Sequence, residues 1–251
     1  MSKSVFGLPL VIFLVLLIPG THSLEAQDLT TGPHASEFVF ARLQYRGNGY
    51  NDWPRWSADY PEAEIHFTAG LDRLTVVDVS DRSTLIRLDD NQIFDYPWLY
   101  VVEVGFMRLA NEEAALLREY LLRGGFLMVD DFHGNWEWQN FEEEMVKIFP
   151  DRPIVDLANT NETFHVLYDL SSRSQIPGIR ALRQNRTWEK GGRFPRWRGV
   201  LDDSNRLMIA INFNQDIGDA WEHSDESEYP QPLAAEAYRL GVNYVIYAMT
   251  H

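Results

Sequence analysis

The stretch FLMVDDFHGNWEW, Phe126 to Trp138, holds the residues best suited to chemistry. Its apolar run delivers two carboxylates and an imidazole, Asp130, Asp131 and His133, to one short segment. Side chains of these types act as general acids and bases and also bind divalent cations. Two like charges about 4 Å apart repel by roughly 4 kcal/mol at an effective dielectric near 20, so a close carboxylate pair needs a cation or a hydrogen-bond donor beside it.

The motif leaves its cofactor open. Neighbouring residues of a strand point to opposite faces of the sheet, so Asp130 and Asp131 need not meet. One of them could accept backbone N–H groups at the following turn while the other is hydrated. Asp and His suit several ions, and the spacing fixes no third ligand. We therefore predict no obligatory cofactor and keep a divalent cation as the alternative.

Apolar runs place this motif at the edge of a sheet. Residues 98–105, WLYVVEVG, are typical of a strand covered on both faces. A helix over about 111–124 and the strand FLMVD follow, which predicts a βαβ crossover. Ligands of open parallel sheets bind beyond the carboxyl ends of the strands. Glu103 should therefore face Asp131 and His133, and we predict these three as catalytic residues, acting as base, acid or metal ligand.

Other segments should supply binding groups at the same edge. They are the first strand, FVFARLQY, the loop RGNGYNDW, and the stretch DIGDAWE after a late strand over 207–213. The aromatic residues could stack on a sugar or a base, or simply pack, and His165 could equally be a core histidine. The predicted ligand-binding residues are Arg42, Tyr45, Asn51, Asp52, Trp53, Asp130, Trp136, His165, Asp216 and Asp219.

The charge of the chain limits its partners. The sequence has 251 residues and a formal net charge of −15, which disfavours nucleic acid and anionic lipid. Residues 173–198 are an exception, with many basic residues and a single acid, Glu189. This segment is either a solvated loop that offsets an acidic body or a flap that faces an anion.

The N-terminus predicts export. Residues 5–18, VFGLPLVIFLVLLI, extend about 21 Å as a helix, short of the roughly 30 Å hydrocarbon core of a bilayer. We predict a signal peptide over 1–26, a mature tail over 27–37 and a single α/β domain over 38–251. An uncleaved anchor is the alternative. The mature chain should have no transmembrane segment and should be secreted or periplasmic, without disulfides because cysteine is absent.

The remaining pattern completes an α/β fold. We expect a three-layer, open, mostly parallel sheet with helices on both faces. The sequence Asp59-Tyr-Pro-Glu predicts a helix start capped by Asp59. The other expected elements are a strand over 74–79, a helix over 140–148, an irregular basic stretch over 170–204 and a helix over 233–249.

Several blocks together resemble a bacterial family, the domain of unknown function 4159. They are FVFARLQYRGNGYNDW, YPWLYVVEVG, LREYLLRGGFLMVDDFHG, NQDIGDAWE and LGVNYVIYAMT, within residues 38–250. The resemblance implies a class I glutamine-amidotransferase-like (flavodoxin-like) fold, similar to the trehalose-utilisation proteins. Amidotransferases of that class use a cysteine nucleophile at a sharp strand-to-helix turn. This chain has no cysteine and no G-x-S-x-G motif, so a covalent acyl route through a thiolate is unavailable.

Two functions follow from these observations. The first is an exported binding or assembly protein that has lost the nucleophile and binds a small molecule or an envelope protein. The second is a hydrolase that uses carboxylate and imidazole groups, with or without a divalent cation, on a small anionic or carbohydrate substrate. Arg42 would then stabilise an anionic group. A carbohydrate-binding module is a third alternative and requires two exposed, coplanar Trp faces.

Overall fold

The computed structural model describes residues 36–47, 53–89 and 91–251, and a mixed β-sheet runs through them. The strands are β1 Ala41–Gln44, β2 Arg46–Gly47, β3 Thr84–Arg87, β4 Trp98–Val102, β5 Met107–Arg108, β6 Phe126–Asp130, β7 Val155–Asp156, β8 Arg196–Leu201 and β9 Leu207–Phe213. The helices are α1 Glu62–Leu74, α2 Asn111–Leu122, α3 Gly134–Ile148, α4 Ile179–Arg183, α5 Ile217–Glu222 and α6 Gln231–Thr250.

The main sheet is mostly parallel. Parallel strands lie in the order β3, β1, β4, β6 and β9. β8 and β7 extend the sheet beyond β9 as antiparallel strands, and β2 pairs with β5 in a separate ribbon. The predicted α/β class with a mostly parallel sheet is confirmed. The register pairs Val102 with Asp130, so β4 and β6 end at the same edge.

Alternating side chains of the strands enter two separate cores. Tyr100 and Phe126 point to the face covered by α1 and α6, whereas Leu99, Val101 and Leu127 point to the face covered by α2 and α3. All residues of β4, β6 and β9 are buried, as expected for strands covered on both sides. Each fully buried large apolar side chain contributes about 1.5–3 kcal/mol, so the two cores hold the strand ends firmly in place.

The longest apolar patterns correspond to the observed elements. The β4–α2–β6 unit is the predicted strand, helix and strand, and β4 and β6 are hydrogen-bonded neighbours. β9 spans the predicted residues 207–213, and α6 extends the predicted C-terminal helix by a few residues. These predictions are confirmed because continuous burial and helical periodicity are strong signals.

Two predictions around α1 are wrong. Pro61, and not Asp59, is the residue preceding α1, and Asp59 adopts a left-handed backbone with φ 60° outside the helix. The strand predicted over 74–79 is also wrong, because α1 continues to Leu74. The Thr75 hydroxyl donates back to the Leu71 carbonyl at 2.8 Å, where the helix ends. Within the predicted strand, Val79 forms an isolated parallel β-bridge with Phe38.

Two further predictions need correction. The helix expected over 140–148 begins at Gly134, because the Glu137 carboxylate accepts the His133 N–H at 2.6 Å and stabilises an earlier helix start. The stretch 170–204, expected to be irregular, contains α4 and β8. β8 was not predicted because its exposed side carries Arg196 and Arg198, which interrupt the apolar run that is typical of a buried strand.

Several predictions lie outside the described residues. These are the signal peptide over 1–26, nearly all of the tail over 27–37, and the ligand-binding candidates Asn51 and Asp52. Within the ranges that the structure describes, no helix combines the length and the apolar character needed to cross a bilayer.

Candidate functional site

Three neighbouring strands end in residues with left-handed backbone. Glu103 follows β4 with φ 50°, Asp131 follows β6 with φ 46°, and Asn214 follows β9 with φ 62°. Each such non-glycine residue costs on the order of 1–3 kcal/mol, and this kind of strain is concentrated at functional sites. The turns hold one another in place: the Glu103 N–H donates to the Asp131 carbonyl and the Asn214 N–H to the Phe132 carbonyl, both at 3.0 Å.

Asp131 and His133 form a buried pair at the turn between β6 and α3. Asp131 Oδ1 lies 3.2 Å from His133 Nε2. Burial raises the pKa of Asp131, but the hydrogen bond to His133 and its charge outweigh burial and leave the pKa lowered. Burial lowers the pKa of His133, and the hydrogen bond to Asp131 more than reverses this effect. The contact therefore shifts the two pKa values in opposite directions, down for the Asp131 carboxyl and up for the His133 imidazole.

Glu103 faces this pair from the neighbouring strand end. Its side chain is 9% exposed and lies 3.5 Å from Arg55 Nη1 and 3.4 Å from Lys190 Nζ. Burial, followed by the charge of Asp131, raises the pKa of Glu103 to about 8. Glu103 therefore keeps its proton through most of the neutral range and can act as a donor.

Lys190 enters the site from the basic segment. Its Nζ lies 2.8 Å from Glu137 Oε1, and the other Glu137 oxygen accepts the His133 N–H. Burial lowers the pKa of Lys190, but the surrounding carboxylates, Asp131 first, raise it overall. Sequence reasoning missed both Lys190 and Glu137. The position of Glu137 four residues after His133, one helical turn on, was the signal that could have identified it.

Asp216 and Asp219 approach from the start of α5. Asp216 Oδ1 accepts the Asp219 N–H at 3.1 Å, and Asp219 Oδ2 accepts the Ile179 N–H. Burial, and then the charge of Asp131, raise the pKa of Asp216 well above its usual value. Burial raises the pKa of Asp219 to about 6, against the opposing hydrogen bond from Ile179. One ligand atom from each of Asp131, His133 and Asp216 lies within 4.8 Å of the others.

Asp59, which the sequence predicted to cap α1, is a further buried acid near Asp131 and Asp219. Its Oδ2 atom is buried and has no hydrogen-bond partner within the described part of the chain. Burial, then the charges of Asp131 and Asp219, raise the pKa of Asp59 well above its usual value. A Cβ atom on Gly218 would lie 2.5 Å from this oxygen, so α5 can approach so closely because residue 218 is glycine.

Asp130 points away from Asp131 and holds α5 in place. Its Oδ2 atom accepts the Tyr100 hydroxyl at 3.0 Å and the N–H groups of Ile217 and Gly218 at 2.8 and 2.9 Å. Burial, followed by the charge of Asp131, raises the pKa of Asp130 to about 7. The sequence left open whether one aspartate of the Asp130–Asp131 pair accepts backbone N–H groups. Asp130 does so, although these N–H groups belong to α5 rather than to the next turn.

Two predicted binding residues, Arg42 on β1 and Tyr45 directly after β1, form hydrogen bonds to backbone carbonyls near the site. Arg42 is fully buried, pairs with Glu64, and donates to the carbonyls of Trp56 and Ala58 at 3.0 and 2.7 Å. Tyr45 donates its hydroxyl to the carbonyls of Val102 and Glu103 at 2.9 and 2.8 Å. Binding of a ligand by either residue stays a prediction.

Two predicted tryptophans lie on an aromatic rim next to Glu103. The Arg55 guanidinium lies 5.1 Å from the Trp53 ring and 4.4 Å from the Phe106 ring. Phe106 in turn contacts Trp136, with ring centroids 5.3 Å apart. Trp53 and Trp136 remain 43% and 53% exposed, so both present free ring area beside the acids.

His165 and several cations of the basic segment 173–198 have their contacts away from this site. His165 contacts the Asn159 carbonyl at 2.7 Å and Asp169 at 3.0 Å, on the segment before α4. Several cations of the basic segment are engaged elsewhere: Arg183 pairs with Glu228, and Arg198 with Asp156.

We call the assembled group the carboxyl-edge cluster. It consists of Asp59, Glu103, Asp131, His133, Glu137, Lys190, Asp216 and Asp219.

A family comparison covers nearly all of the described chain. The family model of the domain of unknown function DUF4159 matches residues 39–249. The chain belongs to the DUF4159 family. All residues of the carboxyl-edge cluster lie within the matched DUF4159 region. No curated protein matches the chain.

Proposed function

We propose that this chain is an exported binding protein that holds a positively charged ligand group at the carboxyl-edge cluster. The observation that carries the proposal is the surplus of buried carboxylate. The acids of the cluster outnumber its cations, His133 and Lys190, and Asp59, Glu103 and Asp216 have raised pKa values because they lie buried near Asp131. A raised pKa means that these buried carboxyls keep their protons in place of a partner charge, and a cationic ligand would supply that charge and favour their ionised forms.

The backbone supports a binding role without covalent chemistry. In chain order, the five parallel strands are arranged 2-1-3-4-5, the order of flavodoxin-like folds. Asp131 lies at a turn between a strand and a helix, the kind of turn at which class I amidotransferases carry their cysteine. Both features support our proposal of an amidotransferase-like architecture. The sequence contains no cysteine, so the acyl chemistry of those enzymes is absent and binding remains.

The chemistry of the cluster fits an ammonium or guanidinium group. Such a group could belong to a small molecule or to a basic side chain of an envelope protein. The exposed rings of Trp53 and Trp136 would add stacking or cation–π contacts beside the acids. Anionic ligands would meet repulsion from the same carboxylates.

Calorimetric titration of the purified chain tests this proposal. The probes are spermidine, arginine amide and a basic peptide. Phosphate is the anionic comparison and glucose is the neutral one. A hydrogen bond to a charged group contributes about 1.5–3 kcal/mol, so Asp131→Asn should weaken cation binding roughly tenfold or more. Asp169→Asn, a matched change at the distant His165 pair, should have no effect. Equal binding of phosphate and spermidine, or an unaffected Asp131→Asn variant, would refute the proposal.

A hydrolase is the second candidate, and one observation favours it. Glu103, with a pKa of about 8, lies beside Asp131, whose pKa is lowered. Neighbouring groups whose environments separate their pKa values are typical of acid–base pairs. Glu103 would donate a proton to a leaving group while Asp131 and His133 activate water.

Chromogenic ester, phosphate and glycoside substrates test the hydrolase. Turnover should fall above pH 8 as Glu103 loses its proton, and Glu103→Gln should abolish it. Glu143→Gln, the same substitution at an exposed position of α3, is the control. Turnover that survives Glu103→Gln excludes this mechanism.

Export is proposed from the apolar segment 5–18 that precedes small and polar residues. Expression of the full chain in a bacterium, with mass spectrometry of each fraction, tests it. The expected product begins near residue 27 and lies outside the cytoplasm. A cytoplasmic product that retains residues 1–26 contradicts the proposal.

A further inference from the structure

Three of the cluster residues have the chemistry and spacing of metal ligands. The carboxylates of Asp131 and Asp216 and the imidazole of His133 are 8%, 6% and 2% exposed. One ligand atom of each lies within 4.8 Å of the other two. Divalent zinc binds nitrogen and carboxylate oxygen at about 2.0–2.2 Å, so ligand atoms around one ion lie within about 4.4 Å of each other. Small side-chain adjustments therefore suffice to place one ion between all three.

A second observation points to a ligand at this position. His133 is almost completely buried, yet its Nδ1 atom has no hydrogen-bond partner in the described part of the chain. Its Nε2 atom faces Asp131, so the two ring nitrogens together have one bonding position left over. A buried imidazole nitrogen without a partner is costly, and an ion bound by this imidazole would fill one of its two bonding positions.

The local structure holds the three ligands from different directions. Asp131 lies in a left-handed turn, and His133 is held by its N–H bond to Glu137. Asp216 is the N-cap of α5, where its Oδ1 atom accepts the Asp219 N–H. Ligands held by such backbone contacts are preorganised, and this is a property of metal sites.

The donor set also indicates which cation would bind. Imidazole suits first-row transition metals, whereas magnesium and calcium prefer oxygen ligands alone. Three protein ligands leave at least one coordination position open for water or a second ligand. We infer that Asp131, His133 and Asp216 form a binding site for a first-row divalent transition-metal cation. This inference rests on the proposed function, since the ion would be the positive charge that the carboxyl-edge cluster holds.

Direct metal titration tests the inference. The full chain is freed of metal with a chelator and titrated with Zn²⁺ by calorimetry and with Co²⁺ by visible absorption. We expect one ion per chain and a Co²⁺ spectrum of nitrogen and oxygen ligation. His133→Ala and Asp216→Asn should weaken binding by at least the roughly 10- to 100-fold that loss of an outer-shell partner costs. Asparagine at 216 retains the helix cap, so this variant should fold.

Matched controls separate this site from other histidines. His223 with Asp219 and Glu222 forms a second, more exposed group of candidate ligands, and His165 lies near Asp169. His223→Ala and His165→Ala should leave Zn²⁺ affinity unchanged. Loss of binding in His223→Ala with retention in His133→Ala overturns the inference, and so does the absence of any bound ion.

Two measurements keep the test decisive if a variant fails to fold. X-ray absorption of Zn²⁺ bound to the unmodified chain should show imidazole and carboxylate scattering, and a spectrum without imidazole overturns the inference. Spermidine binding is measured in parallel on the metal-free chain. Spermidine binding without metal binding refutes the metal site and leaves the proposed function standing, whereas the absence of both refutes both.

Discussion

At the scale of single residues, adjacent aspartates have separate tasks. Asp131 faces the carboxyl-edge cluster and pairs with His133. Asp130 faces the opposite way and accepts three donors, which ties the start of α5 to the end of β6. Asp130 is the last residue of β6, whereas Asp131 begins the following turn with a left-handed backbone, so the two side chains point in different directions. The motif therefore places one carboxylate for ligand contact and one for the position of the neighbouring helix.

Substitutions of Asp130 should reveal its structural role. Asp130→Ala leaves the Tyr100 hydroxyl and the N–H groups of Ile217 and Gly218 buried without an acceptor. Each lost partner costs about 1–3 kcal/mol, so we expect a loss of roughly 3 kcal/mol or more in the free energy of unfolding. Asp130→Asn keeps an acceptor oxygen and should lose clearly less. Urea unfolding measures both values, and equal losses would contradict this role.

At the scale of elements, α4 and α5 meet where glycine leaves space. Gly178 precedes α4 with φ −68°, a conformation that alanine adopts without strain. A Cβ atom there would overlap Asp216 Oδ2 and lie 2.7 Å from Glu189 Oε1. The close approach of α4 to the start of α5 therefore depends on the missing side chain.

Gly178→Ala should change binding more than stability. The added methyl group has to displace the Asp216 carboxylate, which the proposed ligand contacts. We expect cation affinity to fall at least several-fold while the free energy of unfolding changes by about 1 kcal/mol or less. Calorimetry and urea unfolding on the same preparation give both values. Arg180→Ala, on the exposed side of α4, is the control, and unchanged affinity in Gly178→Ala would refute the argument.

The segment between α4 and β8 supplies the one lysine of the cluster, Lys190. Lys190 Nζ contacts Glu137 and Glu103 at 2.8 and 3.4 Å. Lys190→Met removes this charge and keeps most of the apolar length, so the surplus of carboxylate grows. We expect tighter binding of spermidine or metal, measured by calorimetry, with Arg186→Met as the control on the same segment. Weaker binding would mean that Lys190 itself contacts the ligand.

At the scale of the whole molecule, the sheet and five of the eight residues of the carboxyl-edge cluster were predictable, and the other three residues were not. β4, β6 and β9 follow from continuous apolar runs, since strands covered on both faces bury every side chain. Glu103, Asp131 and His133 could be placed together because parallel strands end at one edge. Asp59 and Lys190 could not, because each comes from a segment without periodic pattern whose path depends on tertiary contacts.

The many buried acids also predict how the stability of the whole chain depends on pH. Burial raises the pKa of Asp219 to about 6, of Asp130 to about 7 and of Glu103 to about 8. These carboxyls keep their protons in the folded chain at pH values where the unfolded chain has lost them. The folded state therefore binds more protons, and stability falls as the pH rises from about 4 to about 8.

The Asp131–His133 pair adds two further contributions to the pH dependence of stability, one lost at high pH and one lost at low pH. The pKa of His133 is raised, so its contribution is present below about 6.5 and is lost as the pH rises through the folded pKa. The pKa of Asp131 is lowered, so its contribution is present above about 3.9 and is lost as the pH falls through the folded pKa. The free chain should therefore be most stable at mildly acidic pH.

Urea unfolding at pH 5 and pH 8 tests this expectation. One pKa unit corresponds to about 1.4 kcal/mol, and the raised pKa values of Asp219, Asp130 and Glu103 lie about 1, 2 and 3 units above pH 5, so the wild type should lose on the order of several kcal/mol between these pH values. Glu103→Gln carries a permanently neutral side chain and should lose less, so the difference between variant and wild type should grow with pH. Saturation with a cationic ligand should flatten the profile as well, because a bound positive charge stabilises the ionised carboxylates. A wild-type stability that rises from pH 5 to pH 8 would mean that these acids are already paired, and the argument for a cation site would lose its basis.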